Sequence, residues 1–464
     1  MKARPCPSSD RVVIDHSEGE LDASWESTER PSPMLSILPT AIHTLIAAFL
    51  FTNGPSPHPT STHFTLRHSH AVSNTSHIVF SDVPQSLTSY TYDVPTRSLK
   101  THRPHSAAAF AAARMRSMMH MQSEPLAWHD EDVSGPDVTK RETLLQLAKM
   151  TYNAYSLPVG KDWYELDGYN TSYPFGWEPD ADGLRGHVFV SDDNSTVVVS
   201  IKGTSAPWIA GGGGPTTRKD KTNDNLLFSC CCARVGPTWS PVCGCYEGGY
   251  RCDQTCVERA LVDEGLFYPT GMNLYNNITY MYPDANIWIT GHSLGGGLAS
   301  LIGVTFGAPV VAFEAPGERL AAKRLHLPSP PSTQHITHVY HTGDPVPIGA
   351  CTGVTSACAI GGFALETGCH LGKVIRYDTV SKRGWSVSVQ GHPIKFVIER
   401  VLNEDWEGGE GEEGMGREVP EAVEEVDCVD CFSWEFGEYR NGTDGHGQVG
   451  KKRGRRRRGP WWGK

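Results

Sequence analysis

The residues with the clearest chemical potential surround Ser293. Residues 286–297 (NIWITGHSLGGG) read as a buried strand, a tight turn that carries one serine, and the start of a helix. Gly291 and Gly295 allow the backbone to turn sharply, so that the Ser293 Oγ projects outward beside backbone N–H groups. A serine presented in this way can attack an acyl carbonyl carbon. The pattern therefore predicts a nucleophile elbow with Ser293 as the nucleophile.

A serine nucleophile needs a general base and an acid that orients the base, and both can follow it in the chain. Asp344 lies in the proline-rigid turn HTGDPVP, where a strand-like segment ends. Asp378 is the alternative acid, although its context suggests a surface position. Of the histidines that follow, His370 adjoins a cysteine and His446 lies in a polar tail, whereas His392 occupies a loop near the end of the domain. We predict Asp344 as the acid and His392 as the base.

Acyl transfer also needs hydrogen-bond donors for the oxyanion that forms during the reaction. An apolar β-rich run at 196–201 ends in the turn KGTS, which contains Thr204. If this strand neighbours the strand before Ser293, Thr204 can offer its N–H and its hydroxyl to the oxyanion. Leu294, directly after the serine, offers a second N–H. We therefore predict an oxyanion hole made of Thr204 and Leu294.

The cysteines indicate an oxidising compartment. Of thirteen, Cys6 stands alone near the start of the chain. The other twelve cluster at residues 230–256, 351–369 and 428–431. An even set of clustered cysteines favours disulfides. Zinc binding through 243–245 and 252–256 is the alternative, but the cluster lacks the paired C-x2-C spacing of zinc sites.

Composition divides the 464 residues into one large domain and its appendages. The expected segments are a cytosolic tail at 1–33, a signal anchor at 34–51, an irregular luminal segment at 52–138, a catalytic domain at 139–402 and a charged, mostly disordered tail at 403–464. Alternating helical and strand-like patterns in the catalytic domain predict an α/β fold. Its cysteine-rich insertion at 205–270 is either a lid near the serine or a disulfide-braced surface loop.

Two features indicate passage through the secretory pathway. Residues 34–51 are largely apolar and marginal in length for a membrane span. Because no small-x-small cleavage site follows, a signal anchor is favoured over a cleaved signal peptide. Five N-x-S/T sequons predict N-glycosylation, at Asn74, Asn170, Asn194, Asn277 and Asn441.

Charge narrows the class of partner. The formal net charge of −11 argues against nucleic acid as the main partner. The acidic run at 404–427 and the arginine-rich run at 451–458 are most simply a solvated appendage. The basic run with Trp461 and Trp462 could instead bind anionic lipid.

Several segments together resemble the class 3 (fungal-type) lipase family: the serine turn, the KGT turn at 202–204 and the GDP turn at 343–345. Longer stretches are similar to the fungal autophagy-related vacuolar lipases of that family, namely residues 224–234, 252–256, 275–286, 325–335 and 369–378. The resemblance extends from about residue 140 to residue 402, and CVDCFSW at 428–434 is similar to the end of the family's sequences.

The resemblance implies an α/β-hydrolase fold, a type II signal anchor, and delivery through multivesicular bodies to the vacuole, where autophagic bodies would be lysed. It implies that Ser293, Asp344 and His392 hydrolyse acyl esters of membrane phospholipid or triacylglycerol, with no metal or organic cofactor. Two alternatives stay open. One is a secretory serine esterase that acts on soluble esters, and the other is an inactive hydrolase-like glycoprotein that binds membranes.

Overall fold

A wide mixed β-sheet with helices on both faces forms the centre of the molecule. The computed structural model describes residues 61–73, 77–84, 90–120, 123–155, 183–205, 216–233, 241–262, 267–353, 356–406 and 417–439. The strands are β1 (Ser61–Val72), β2 (Ile78–Asp82), β3 (Thr91–Pro104), β4 (Trp128–Pro136), β5 (Arg185–Ser191), β6 (Thr196–Ile201), β7 (Tyr246–Gly248), β8 (Arg251–Asp253), β9 (Asn286–His292), β10 (Val310–Phe313), β11 (Ile336–His341), β12 (Lys373–Tyr377), β13 (Ala422–Glu424) and β14 (Glu435–Gly437).

Within the described residues, eleven strands form the main sheet in the order β13-β12-β11-β10-β9-β6-β5-β1-β3-β4, with β2 paired to β1. Strands β6, β9, β10, β11 and β12 are parallel neighbours. The carboxyl ends of parallel strands meet at one edge of a sheet, where open α/β sheets bind their ligands. That edge carries the predicted site residues. A small second sheet has the order β14-β8-β7.

Helices connect the parallel strands and cover the sheet. They are α1 (Ala107–His120), α2 (Arg141–Asn153), α3 (Thr217–Leu227), α4 (Gln254–Val262), α5 (Phe267–Met281), α6 (Leu294–Phe306), α7 (Arg319–Arg324), α8 (Ala357–Gly361), α9 (Thr379–Arg383) and α10 (Ile394–Val397). A π-helical turn, Ile398–Leu402, continues α10. Twelve of the thirteen residues of α6 are buried, as expected for a helix enclosed between the sheet and an outer layer.

Side chains of the central strands alternate between two cores. Ile287 and Ile289 of β9 pack into the core that contains α5 and α6, whereas Trp288 packs into the core that contains α2 and α10. Alternation of this kind follows from the two-residue period of a strand. Because both faces are covered, the central strands are apolar throughout, as in other parallel sheets.

The prediction of an irregular segment at 52–138 is wrong for the part that the structure describes. Strand β1 pairs with both β3 and β5 and so extends the main sheet. A register shift between Leu66 and His68 interrupts its alternation, as a β-bulge does. Polar residues also occupy buried positions, and His70 Nε2 lies 2.9 Å from the Ser200 carbonyl oxygen. Because the apolar–polar alternation is interrupted and the composition is polar, the sequence does not indicate this strand.

The prediction of a mostly disordered tail at 403–464 is wrong for residues 417–439. Strand β13 pairs with β12 and forms the edge of the main sheet, and β14 pairs with β8. The Glu418 Oε2 accepts a hydrogen bond of 3.0 Å from the backbone N–H of Arg141, the first residue of α2. These are long-range contacts, which composition cannot reveal. The folded unit therefore extends on both sides of the expected domain 139–402.

All twelve clustered cysteines form disulfides. The pairs are Cys230–Cys431, Cys231–Cys252, Cys232–Cys243, Cys245–Cys256, Cys351–Cys358 and Cys369–Cys428. A sulfur in a disulfide offers no thiolate to a metal, which argues against the zinc alternative for these residues. Four of the six pairs brace the described part of the insertion 205–270.

The sequons differ in their surroundings. Asn194 lies exposed in the turn between β5 and β6, where a sugar would extend into solvent. Burial contradicts the predicted glycosylation of Asn277, because this residue lies within α5 with only 8% of its surface exposed. Asn74, Asn170 and Asn441 lie outside the described residues.

The membrane anchor predicted at 34–51 also lies outside the described residues, as does the cytosolic tail predicted at 1–33. Within the described part of the chain, no helix is both long and apolar enough to cross a bilayer.

Candidate active site

Ser293 occupies a strained turn between β9 and α6. Its φ of 56° and ψ of −129° are unusual for a residue with a side chain. A Cβ on Gly291 would lie 2.3 Å from the Gly295 carbonyl oxygen, and a Cβ on Gly295 would lie 2.3 Å from the Ile201 carbonyl oxygen. Both glycines are therefore required by close backbone approach. The turn holds the Ser293 side chain at the carboxyl edge of the sheet, as in a nucleophile elbow.

The structure brings Ser293, His392 and Asp344 together from positions far apart in the chain. The His392 Nε2 lies 2.9 Å from the Ser293 Oγ, and its Nδ1 lies 2.5 Å from the Asp344 Oδ2. All three side chains are buried, with exposures of 2% for Ser293 and 0% for the other two. The arrangement allows proton transfer from the serine hydroxyl to the imidazole, with the carboxylate behind it.

Asp344 lies immediately after β11 and is held by the backbone. Its N–H donates to the His341 carbonyl oxygen at 3.1 Å, and its Oδ1 accepts from the Val346 N–H at 2.9 Å. Burial alone would raise the pKa of Asp344. The charge and hydrogen bond of His392, followed by a hydrogen bond from Glu314, outweigh burial and lower the pKa. Asp344 is therefore the charged partner of His392.

Glu314 is a buried acid beside this site that sequence reasoning missed. It directly follows β10 and is 0% exposed. Its carboxyl oxygens lie 3.2 Å and 3.4 Å from the His341 backbone nitrogen. Burial and the charge of Asp344 raise the pKa of Glu314 well above its usual value. No local pattern marks this residue, because the contact with Asp344 arises only when β10 and β11 pair.

Thr204 lies beside the elbow, as the sequence predicts. It follows β6, which pairs in parallel with β9. A Cβ on the preceding Gly203 would lie 3.0 Å from the Ser293 Cβ. The Thr204 hydroxyl, however, donates to the Asp224 Oδ2 at 2.5 Å. Its hydroxyl proton is thus directed to Asp224, which the sequence prediction did not foresee.

Leu294 begins α6 directly after Ser293. The first N–H groups of a helix have no acceptor within the helix. The Leu294 N–H is therefore available beside the serine. An oxyanion hole made of Thr204 and Leu294 stays a prediction.

A buried ion pair supports the turn that contains Thr204. The Lys202 Nζ donates to the Asp220 Oδ2 at 3.0 Å and to the Ser205 Oγ at 2.7 Å. The Ser205 N–H donates to the same Asp220 oxygen at 2.8 Å. Burial lowers the pKa of Lys202 to about 8, although the charge of Asp220 opposes this shift. Helix α3 therefore holds the turn after β6 in place. Its Asp220 binds Lys202 and Ser205, and its Asp224 binds Thr204.

A second network links the same turn to the histidine loop. The Gly203 N–H donates to the Tyr155 hydroxyl at 3.0 Å, which lies 2.6 Å from the His292 Nδ1. The His292 Nε2 lies 2.8 Å from the His392 carbonyl oxygen. Burial lowers the pKa of His292 to about 3, so this ring stays neutral and its Nε2–H donates to His392. No local sequence pattern indicates that Tyr155 and His292 connect these segments.

The alternative residues lie elsewhere. Asp378 caps α9, with its Oδ1 3.1 Å from the Ser381 nitrogen. His370 pairs with Glu425, since its Nδ1 lies 3.0 Å from the Glu425 Oε2. Both therefore have structural partners away from Ser293. His446 lies outside the described residues.

A metal site needs several side chains such as His, Cys, Asp or Glu close together. Within the described residues, the two groups with suitable spacing are Cys232, Cys243 and Cys245, and Cys369, Cys428 and Asp430. Every cysteine in both groups belongs to a disulfide. Neither group lies among the residues around Ser293, and the chemistry available there is that of a serine, an imidazole and carboxyl groups.

Comparison with known proteins gives the family context. Residues 272–351, which include Ser293 and Asp344, match the family model described as "Lipase (class 3)". A protein of Cryptococcus neoformans var. neoformans serotype D, named "Putative lipase ATG15", is 53% identical over 299 residues, which are 63% of this chain and 57% of that protein. A protein of the same name from Mycosarcoma maydis is 48% identical over 301 residues, again 63% and 57% of the two chains.

This chain thus spans somewhat more than half the length of the relatives that it matches. A solved structure of the nonglycosylated LIP2 lipase of Yarrowia lipolytica aligns with 51% of this chain and 78% of its own, at 17% identity and a TM-score of 0.26, a similarity too low to support a conclusion. The predicted resemblance is confirmed by the sequence matches and the mixed sheet: the chain is a relative of the fungal proteins named putative lipase ATG15 and shares the class 3 lipase segment and the α/β-hydrolase fold.

Proposed function

We propose that this protein is a serine lipase that hydrolyses acyl esters of membrane lipids. The observation that carries the proposal is the continuous chain of contacts from the Ser293 Oγ through His392 to the Asp344 carboxylate, at 2.9 Å and 2.5 Å. The homology to class 3 lipases over the segment with Ser293 and Asp344 supports it.

Acylation begins when the His392 Nε2 removes the proton of the Ser293 hydroxyl and Ser293 Oγ attacks the ester carbonyl carbon. The carboxylate of Asp344 stabilises the imidazolium and keeps the ring oriented. The backbone N–H groups of Thr204 and Leu294 stabilise the developing oxyanion. His392 then donates its proton to the leaving alcohol, so that the acyl group remains on Ser293.

Deacylation repeats these steps with water. His392 removes a proton from a water molecule, which attacks the acyl-enzyme, and the Ser293 oxygen leaves with the proton. Because Ser293 is 2% exposed in this structure, a lipid can reach it only after the surrounding segments move apart. Opening at a lipid surface would couple activity to the membrane.

The proposed substrates are phospholipid and triacylglycerol in membranes, and the proposed role is lysis of autophagic bodies and multivesicular-body vesicles in the vacuole. The names of the relatives support the link to autophagy. The six disulfides are consistent with an oxidising compartment reached through the secretory pathway. The signal anchor at 34–51 remains a prediction from the sequence.

The experiment is fatty-acid release from phosphatidylcholine liposomes by the full-length protein, compared with its Ser293→Ala variant. We expect release by the wild type and a loss of about three or more orders of magnitude in the variant, which lacks the nucleophile. The variant should keep the thermal stability of the wild type, because the serine side chain makes its hydrogen bond only to His392 among the described residues.

Two other results would replace the proposal. Serine-dependent hydrolysis of a soluble short-chain ester, with no release from liposomes, would indicate the soluble-ester esterase. Liposome binding without hydrolysis of either substrate, by a folded wild type, would indicate an inactive hydrolase-like membrane-binding protein.

A further inference from the structure

Glu314 is a buried titratable group that the mechanism above does not use. Its φ of 43° is in the left-handed region, which residues with a side chain rarely adopt. Such a conformation costs free energy unless local contacts stabilise it. The contacts here are the hydrogen bond from the His341 N–H and a hydrogen bond to the Asp344 side chain. The strained backbone thus places a second carboxyl directly against the proposed catalytic acid.

Two carboxyl groups that touch in a buried site cannot both be ionised, so they share one proton. Asp344 already receives two hydrogen bonds, from the His392 Nδ1–H and the Val346 N–H. Among the described residues, Glu314 receives only the bond from the His341 N–H. Asp344 is therefore the carboxylate that is better stabilised by hydrogen bonds, and the shared proton lies on Glu314.

The groups that face the pair leave this proton in place. They are His392, His292 at the end of β9, and His341 and Tyr340 on β11. Burial lowers the pKa of both His292 and His341, and it raises the pKa of Tyr340. Burial therefore favours the neutral form of each of these three groups. None of them supplies a positive charge that would ionise Glu314.

We propose that Glu314 is a positioning residue whose protonated carboxyl donates a hydrogen bond to Asp344 and fixes that carboxylate behind His392. This inference rests on the proposed function, since it assigns Glu314 a part in the same acyl transfer. A donor on Asp344 disperses its negative charge, and a dispersed charge stabilises the imidazolium form of His392 less strongly. Glu314 thereby extends the activity of the serine toward acid pH.

The test compares full-length wild type, Glu314→Gln and Glu314→Leu by the rate at which a fluorophosphonate probe labels Ser293, from about pH 4 to about pH 8. The leucine variant has no donor, so its acid limb should move up by about one pH unit. Its labelling at acid pH should fall about tenfold relative to its labelling at neutral pH. The glutamine variant can still accept a hydrogen bond from the His341 N–H and donate one to Asp344. Its acid limb should therefore stay at the pH of the wild type.

Glu318→Gln is the matched control. Glu318 is also fully buried, and its Oε1 lies 3.1 Å from the His338 Nε2 and accepts from the Leu371 N–H at 3.0 Å, away from Asp344. This variant tests whether the loss of another buried glutamate in the segment also shifts the pH dependence of labelling. We expect its acid limb to stay at the pH of the wild type. An unmoved limb in Glu314→Leu, or an equal shift in all three variants, would overturn the proposal.

A second measurement does not depend on activity or on folding of the leucine variant. The infrared spectrum of the wild type at neutral pH should contain a carbonyl band of a protonated carboxylic acid that Glu314→Gln lacks. If the two spectra are identical in that region, Glu314 is ionised and the inference fails. Absence of serine-dependent labelling in the wild type would instead count against the proposed function, and the infrared band would still decide the state of Glu314.

Discussion

Three buried acids next to Ser293 respond differently to similar burial. The hydrogen bonds and charge around Asp344 lower its pKa, whereas the pKa of Glu314 is raised by burial and by Asp344. Burial also raises the pKa of Asp224 to about 8, against the hydrogen bond from Thr204. The surroundings therefore favour the charged form of Asp344 and the neutral forms of Glu314 and Asp224. Which acid is charged depends on the donors around it, and not on the residue type.

The neutral state of Asp224 leads to a prediction about Thr204. Asparagine matches a neutral aspartic acid in size and can accept the Thr204 hydrogen bond, so Asp224→Asn should keep most of kcat at acid pH. Asp224→Ala leaves the buried Thr204 hydroxyl without its acceptor, and kcat should fall about tenfold or more as the oxyanion donors lose their support. Hydrolysis of a soluble ester at about pH 5 would measure both. Equal kcat for the alanine variant and the wild type would contradict this role.

At the scale of elements, the sequence predicted those parts whose signals are local. The apolar run of β9, the glycines around Ser293 and the turn after β11 each occupy a few consecutive residues. Strand β1 was missed because a bulge and buried polar residues remove its alternation. Glu314 was missed because its partner, Asp344, follows a different strand. Pairing between distant segments has no signature in either segment alone.

Helix α3 shows the same limit. It lies within the cysteine-rich insertion, and its own sequence is strongly polar. Four of its polar residues, Asp220, Asn223, Asp224 and Asn225, are nevertheless buried. Their partners lie on the turn after β6 and in the segments that include Phe267 and Ala364. A strongly polar sequence predicts a helix that is exposed to solvent. Here the polar side chains of α3 are buried and hold the turn that contains Thr204.

The elbow gives a prediction at this scale. Gly291→Ala would place a Cβ 2.3 Å from the Gly295 carbonyl oxygen, so β9 or the first turn of α6 must shift. We expect destabilisation of about 1–3 kcal/mol and a fall in kcat of about 100-fold, because Ser293 moves relative to His392. Thermal unfolding and ester hydrolysis would measure these effects. Gly244→Ala is the control, since its Cβ would meet nothing within 4 Å. Similar losses in both variants would show that the elbow is not specially constrained.

At the scale of the whole molecule, the described part of the C-terminal segment fastens elements that carry the site. Cys431 forms a disulfide with Cys230, which lies 201 positions earlier in the chain. Cys428 forms one with Cys369, which lies 59 positions earlier. Glu425 adds a polar contact: its Oε2 lies 3.0 Å from the His370 Nδ1, and its Oε1 accepts from the Tyr340 hydroxyl at 3.1 Å. Tyr340 lies on β11 and His370 precedes β12, and these two strands pair beside the turn that contains Asp344. The segment 417–439 therefore supports the edge of the sheet next to the acid.

The pair formed by His370 and Glu425 should stabilise the fold most in mild acid. Burial alone would lower the pKa of His370, but the hydrogen bond with Glu425 and the charges of Glu318 and Glu425 raise it above 6.5. Burial alone would raise the pKa of Glu425, but the contacts with His370 lower it from 4.5 to about 2. The His370 contribution is complete below its unfolded pKa of 6.5 and is lost as pH rises through the raised value. The Glu425 contribution is complete above its unfolded pKa of 4.5 and is lost as pH falls toward 2.

Glu425→Gln should therefore lower the Tm most between pH 4.5 and pH 6.5, where both contributions are complete. The difference from the wild type should shrink as pH rises above this window, because His370 loses its proton. It should shrink again below the window, because Glu425 gains one. Thermal unfolding of both proteins across this range would measure the difference. Glu424→Gln, an exposed neighbour on β13, controls for the loss of one negative charge. A difference that stays constant with pH would show that the contact does not depend on an ion pair.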